Sequence, residues 1–249
     1  MKTRNYEKFS SEIKKHVIAD AVMQGDYWEV HDNEVGGSGC FIGCLARGDN
    51  PMAIVEEYGI PHSLVRLCEN IFEALPEDDA KQFFSDIGVA VGTDGKDLTK
   101  VVWAFLASEL RQLPIVTETT QVVIDGMDLL SIGQEWPDAN AADAAAAVCA
   151  AAAVVDAAYA AYAAAYAAAD ASAACAAAAA DAAYAVCAAD AGADAYAADA
   201  VVDAAYAAAD AAYAAADAVN PSYGAVAYAA ARSRQAKDLL QLITDAEVS

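Results

Sequence analysis

The segment from 140 to 219 constrains this chain most, because alanine is its predominant residue. Alanine has the highest helix propensity of all residues, and no proline occurs between Pro137 and Pro221. The segment is therefore predicted to be helical. An unbroken helix of this length would extend ~120 Å, at about 1.5 Å per residue. Gly192 marks residues 190–195 as the predicted position of a bend or turn.

The residues that interrupt alanine near the end of this segment follow a regular order. Seven aspartates and tyrosines are separated by 3, 4, 3, 4, 3 and 4 positions. This spacing has the period of a helix, so it predicts that all seven side chains lie along one helix face. We call these seven residues the Asp/Tyr stripe and predict that they form an interaction surface. They are Tyr196, Asp199, Asp203, Tyr206, Asp210, Tyr213 and Asp217.

An alanine helix on its own would expose a large apolar area, which soluble monomers avoid. Methyl side chains also allow two helices to approach closely. The segment is therefore predicted to pack on itself or on another copy, which makes a homo-oligomer the first expected partner. The alternative is that the ordered carboxylates form a recognition surface for a basic protein, with nucleic-acid mimicry as its most specific form.

The charge distribution bears on the class of partner. The formal net charge is -23, no Lys, Arg or His occurs between Arg111 and Arg232, and this interval contains 15 acidic residues. Such a field repels nucleic acid and anionic membranes, so neither is expected as a partner. Each aspartate would cost about 2.5 to 3.5 kcal/mol at a bilayer centre, which disfavours a membrane span. Arg232, Arg234 and Lys237 are the bases available to balance the acidic segment from its C-terminal side.

The remaining sequence has ordinary globular patterning, and the fold class is predicted to be mainly α. A small N-terminal domain with a short β-hairpin and several helices precedes the long, packed, alanine-rich helices. The predicted division is a globular domain over 1–138, the alanine-rich segment over 139–219, and a C-terminal amphipathic helix within 220–249.

Periodicity and turn residues predict the individual elements. A helix covers residues 1 to about 24 and is ended by Gly25, and a hairpin pairs two extended runs. The extended runs are Tyr27–His31 and Cys40–Ala46. From Pro51 onward the pattern is helical, and an apolar stripe between Leu64 and Leu75 predicts one buried helix face. A further helix is predicted after Pro76, followed by a turn at Gly92–Gly95. Two more helices are predicted, one over Leu98–Leu110 and one within Pro114–Ile132. Asn220–Gly224 is predicted to stop the alanine helix, and a final helix to cover about Ala225–Ala246.

A glycine-rich loop is the candidate site for a small ligand. Its backbone N–H groups, together with a nearby guanidinium, suit a nucleotide or another phosphate-bearing signal. The candidate residues are Gly36, Gly37, Ser38, Gly39 and Arg47. The loop matches neither the P-loop nor the dinucleotide-binding fingerprint. A plain hairpin loop made of small residues is the alternative interpretation.

Six cysteines are predicted to be free thiols, because no export signal precedes them and a cytoplasmic location is expected. Cys40 and Cys44, with His31 upstream and His62 or Cys68 downstream, would give only one close pair for zinc, whereas structural zinc sites favour two pairs. Cys40 activated by His31 would be the nucleophile of a cysteine-dependent enzyme. No cofactor, metal or catalytic residue is predicted, and a non-enzymatic role is favoured.

Two blocks of sequence resemble uncharacterised proteins of bacteria and their phages. The N-terminal block contains GCFIGCLARG and EEYGIPHSLVRLCENIFEALP, and the repeats include DAAYAAADAAYAAAD. The resemblance implies a setting in which counter-defence against the host is a reasonable role. The leading hypothesis is a non-enzymatic, acidic binding and self-association protein. A small-ligand binding or sequestering protein is the second, and a cysteine-dependent enzyme the third.

Overall fold

The computed structural model describes residues 1–25, 27–31, 36–113, 116–136, 202–203, 205–210, 213 and 221–248. The predicted mainly α fold with a short hairpin is confirmed over these residues. The helices are α1 (Tyr6–Ile18), α2 (Phe41–Ala46), α3 (Pro51–Tyr58), α4 (His62–Ala74), α5 (Glu77–Val91), α6 (Val101–Arg111), α7 (Glu118–Ser131) and α8 (Pro221–Asp245). The described residues between 202 and 213 are also helical. No helix in the described ranges combines the length and the apolar character that a membrane crossing requires.

Helix α1 is shorter than predicted at both ends. It begins at Tyr6, whose backbone N–H donates to the Asp94 carboxylate at 2.7 Å, and it ends at Ile18. Ala21 and Val22, which continue the helical spacing in the sequence, are buried in extended backbone, where Val22 bridges Gly39. Burial alone therefore explains why these two positions are apolar, and the prediction of a helix to residue 24 was wrong.

The hairpin exists, but its second strand differs from the prediction. Strand β1 (Glu29–Val30) pairs in antiparallel register with β2 (Gly37–Ser38). The run Cys40–Ala46, predicted as a strand, is instead the helix α2. Its residues Phe41 to Leu45 are all buried, and it packs among α1, α3 and α4. A short run that is apolar on every side carries no periodicity, so it does not distinguish a strand from a buried helix.

The helices from Pro51 onward agree with the sequence pattern. Pro51 occupies the first turn of α3, and the Asn50 side chain caps that turn by accepting from Met52 N at 3.1 Å. The predicted apolar stripe of α4 is buried, and Gly92 and Gly95 form the predicted turn with φ of +69° and +86°. Thr117 caps α7 through its hydroxyl. Local signals were sufficient here because these helices have proline, a capping side chain or glycine at their ends and one apolar face.

The last helix starts earlier than predicted. Helix α8 begins at Pro221, four residues before the predicted start, and continues to Asp245. Proline lacks the N–H that a first-turn residue leaves without an intrahelical partner, so it is tolerated there. Pro221 therefore initiates a helix, as Pro51 does.

Contacts divide the chain into two compact units. The first contains Met1–Val101 and Ser233–Ser249, and the second contains Val102–Arg232. The three-part division by composition stays a prediction. In the first unit, the buried ammonium of Lys96 donates to the carbonyl oxygens of Ala90, Ile243 and Thr244 at 2.8 to 2.9 Å. These carbonyls belong to the last turns of α5 and α8, where a positive charge is most favourable.

Candidate functional site

Four members of the Asp/Tyr stripe lie within the described residues, and all four are exposed. Asp203, Tyr206, Asp210 and Tyr213 are in helical backbone, and the two tyrosines are 38% and 42% exposed. Their spacing along a helix places them on one face. Tyr196, Asp199, Asp217 and the predicted bend at 190–195 lie outside the described residues.

The alanines between these residues behave differently. Ala205, Ala208 and Ala209 are 0%, 5% and 0% exposed, so the side of the helix opposite the stripe is covered. A helix made of alanine, aspartate and tyrosine thus has two distinct sides. One side packs through methyl groups, and the other presents carboxylates and phenol rings to solvent.

A guanidinium group of the same unit contacts this surface. The Arg232 guanidinium carbon lies 4.1 Å from the centroid of the Tyr206 ring and 5.4 Å from that of Tyr228. Arg232 Nε also donates to the Tyr228 hydroxyl at 3.3 Å, and the Arg232 side chain is fully buried. Partial desolvation raises the pKa of Asp210, whereas the positive charge of Arg232 acts in the opposite direction. The rings of Tyr206 and Tyr228 therefore form a site that holds one guanidinium.

Residues of the glycine-rich loop form part of the hairpin. Gly37 and Ser38 form β2, and the His31 ring lies 2.9 Å from the Ser38 hydroxyl. The Gly39 N–H donates to Ala21 O at 3.0 Å, and Gly39 O accepts from Met23 N at 2.8 Å. A Cβ at Gly37 or Gly39 would overlap the chain from Tyr27 to Glu29. The glycines at these positions therefore allow two backbone segments to approach closely.

The other two candidate residues for ligand binding, Gly36 and Arg47, lie in different surroundings. Gly36 has a φ of +85° and space around it. Arg47 ends α2 in a left-handed conformation, and its guanidinium lies 3.7 Å from the Glu12 carboxylate. Binding of a phosphate-bearing ligand by these residues stays a prediction. The hydrogen bonds of Gly39 favour the alternative of a structural hairpin loop.

Cys40 belongs to a cluster that the sequence analysis missed. Its Sγ and the carboxylate oxygens of Glu69 and Glu73 all lie within 4.8 Å of one another. Glu69 accepts from Ile42 N at 2.9 Å and Glu73 accepts from Gly25 N at 2.9 Å, so both carboxylates also serve as backbone acceptors. The only sequence signal was a pair of glutamates four residues apart at the border of the apolar stripe of α4.

The electrostatics of this cluster favour its protonated forms. Burial raises the pKa of Cys40, and the adjacent Glu69 carboxylate raises it further. Burial also raises the pKa of Glu69 and of Glu73. Cys44, whose Sγ lies 3.1 Å from Gly39 O, has its pKa raised by burial to about 12. A reactive cysteine needs the opposite shift, so this surrounding favours packing thiols over a nucleophile.

A thiolate with two carboxylates is a ligand set that zinc accepts. Here each ligand would have to lose a proton against the direction of its pKa shift. The second cysteine of the predicted pair, Cys44, is not part of the cluster. The arrangement therefore gives the zinc interpretation no added support.

The raised pKa of Glu69 has a measurable consequence. Above the ordinary value of 4.5 the folded state holds this proton more tightly than the unfolded state, so stability falls as pH rises through the raised pKa. Glu69→Gln removes that loss and keeps an oxygen for the Ile42 N–H. We expect Glu69→Gln to be at least as stable as the original chain at neutral pH. Above about pH 4.5, its free energy of unfolding should fall less with rising pH than that of the original chain.

Urea unfolding between about pH 4.5 and 8 would measure this difference, with Glu56→Gln at an exposed position as the control. A large loss of stability in Glu69→Gln at neutral pH would contradict the prediction. It would mean that the ionised carboxylate is a favourable acceptor for the Ile42 N–H.

No protein-family model, curated protein or solved structure matches this chain.

Proposed function

We propose that this protein is a non-enzymatic acidic binding protein that presents the Asp/Tyr stripe to a basic protein surface. The observation that carries the proposal is the exposure of Asp203, Tyr206, Asp210 and Tyr213 on a helix whose alanine side is buried. A rigid helix holds these groups in fixed positions before a partner arrives, which reduces the entropy that binding must overcome.

Charge selects between the two kinds of partner considered for this face. A second copy would bring another row of carboxylates against the first, and like charges in an interface are unfavourable. A basic surface would be attracted by the field of a chain with a net charge of -23. The buried alanines of the described residues are already covered in the single chain, so they do not require a second copy. Self-association is also part of the proposal, and its support is the alanine-rich composition of residues 140–219.

The setting is part of the same proposal. The three described cysteines, Cys40, Cys44 and Cys68, are free thiols, which suits a cytoplasmic location. We also propose a phage setting, as expected from the sequence of the N-terminal block, in which occupation of a basic host protein would serve counter-defence.

Neutralising the stripe should weaken binding of a basic probe. The test variant is Asp203→Asn/Asp210→Asn, and fluorescence anisotropy of labelled decalysine would measure the affinity of the full chain. Two exposed ion pairs contribute about 0.2 to 1 kcal/mol each, so we expect a loss of roughly 2- to 30-fold.

The control has the same net charge as the test variant. Asp49→Asn/Glu135→Gln removes two exposed carboxylates that are not members of the stripe. If both double variants lose the same affinity, decalysine responds only to net charge, and the proposed surface is wrong. Absence of binding to the original chain at physiological ionic strength would also overturn the proposal.

A further inference from the structure

We infer that the four described residues of the Asp/Tyr stripe, Asp203, Tyr206, Asp210 and Tyr213, recognise guanidinium groups, so that their partner is an arginine-rich protein segment and not simply a basic one. This inference rests on the proposed function and specifies the chemistry of the same surface. It goes beyond charge complementarity because it assigns a role to the tyrosines. Its basis is the manner in which the chain already binds one of its own arginines.

Arg232 shows which interactions this surface offers. Its guanidinium lies over the Tyr206 ring at 4.1 Å, with the Tyr228 ring at 5.4 Å and the Tyr228 hydroxyl 3.3 Å from Nε. The charge of Arg232 also acts on Asp210, four residues after Tyr206 on the same helix face. A flat cation thus contacts an aromatic face while a carboxylate supplies the opposite charge.

This combination distinguishes arginine from lysine. A planar guanidinium stacks on a ring and still directs N–H groups towards a neighbouring carboxylate. It is also less strongly hydrated than an ammonium, so it loses less on being placed against an apolar ring. Lysine would retain the attraction to aspartate and lose most of the ring contact. The alternation of aspartate and tyrosine over Asp203, Tyr206, Asp210 and Tyr213 is therefore informative, because carboxylates alone would suffice to bind any basic surface.

A second tyrosine of the stripe is also close to Asp210 in the sequence, in the opposite order from Tyr206 and Asp210. Tyr213 follows Asp210 by three positions, just as Tyr206 follows Asp203. Tyr213 is 42% exposed and Asp210 is exposed, so a guanidinium from another protein can reach both. Residues three or four apart on a helix have Cβ atoms about 5 to 6 Å apart, which lets one guanidinium contact a ring and a carboxylate together. The expected partner therefore carries several arginines that follow the helix.

The experiment compares decaarginine with decalysine on the full chain by fluorescence anisotropy. We expect decaarginine to bind more tightly, and Tyr213→Ala to reduce decaarginine affinity roughly two- to fivefold, the effect of one exposed cation–π contact. The same variant should change decalysine affinity much less. Tyr213→Phe keeps the ring and should retain the preference for arginine.

Tyr27 provides a matched control for the aromatic substitution, because it is 43% exposed and lies in the hairpin region. Tyr27→Ala is expected to leave both affinities unchanged, and circular dichroism checks that each variant is folded. Equal affinity for the two peptides, or equal losses in Tyr213→Ala, would overturn the inference while leaving a basic partner in place. Failure of both peptides to bind would overturn the proposed function as well.

Discussion

Replacing Gly43 by alanine is expected to lower the free energy of unfolding of the first unit by about 3 kcal/mol or more. A Cβ at position 43 would overlap the Tyr27 carbonyl oxygen, which is backbone and has no rotamer to change. Overpacking usually costs about 1 to 3 kcal/mol, and the cost rises when the neighbour is rigid. Helix α2 would have to move away from the segment before β1, and the hydrogen bonds that Gly39 makes with Ala21 and Met23 would be strained with it.

Gly48 is the matched control, five residues further along the same block. A Cβ there meets nothing within 4 Å, and its φ is not in the left-handed region. Gly48→Ala is therefore expected to leave stability unchanged or to raise it by up to about 1 kcal/mol, because alanine restricts the unfolded chain. Urea unfolding of both variants, followed by circular dichroism, measures the difference. Equal midpoints for Gly43→Ala and Gly48→Ala would show that the glycines are not required for close approach.

These glycines illustrate what the sequence could not provide. The spacing Gly36, Gly37, Gly39 and Gly43 indicates a flexible loop or a close contact equally well, because the two uses have the same composition. The choice depends on which segment lies opposite, here the chain around Tyr27, and that is a tertiary fact. The same reason explains the wrong strand at Cys40–Ala46, since a short run buried on all sides has no exposed face to reveal its period.

The helices from α3 to α7 were predictable because each has a polar face and a terminal signal. Pro51, Pro76 and the glycine turn at 92–95 mark their ends in the sequence. Pro221 was misinterpreted, since proline is compatible with the end of one helix and with the first turn of the next. Whether proline ends one helix or starts the next depends on the residues that follow it. Here these residues include Gly224, and glycine also favours turns.

The candidate surface was predictable in part. The period of the Asp/Tyr stripe predicted that its members lie along one side of a helix, and the four described members are exposed. The sequence also showed that basic residues, among them Arg232, follow the acidic segment on its C-terminal side. That Arg232 would be buried against Tyr206, 26 positions earlier in the chain, was not, because no local pattern encodes a contact between two helices. The cluster of Cys40, Glu69 and Glu73 was missed for the same reason.

Arg232 links the acidic helix to the rest of its unit, and its removal should be among the most destabilising single changes. Arg232→Ala is expected to lower the free energy of unfolding by about 3 to 5 kcal/mol. It leaves a cavity of a whole buried side chain, and it removes both ring contacts and the counter-charge near Asp210. Urea unfolding followed by circular dichroism would measure the loss.

Three comparisons separate the causes of this loss. Arg232→Met restores most of the volume without the charge, so it should recover the cavity part only. Arg232→Lys keeps the charge but cannot stack in the same way, and it should remain less stable than the original chain if the planar guanidinium is what the two rings require. Lys237→Ala, an exposed position on the same helix, is expected to change stability by no more than about 0.5 kcal/mol. If Arg232→Lys matched the original chain, charge alone would account for the site, and the guanidinium preference inferred for the exposed stripe would lose its internal precedent.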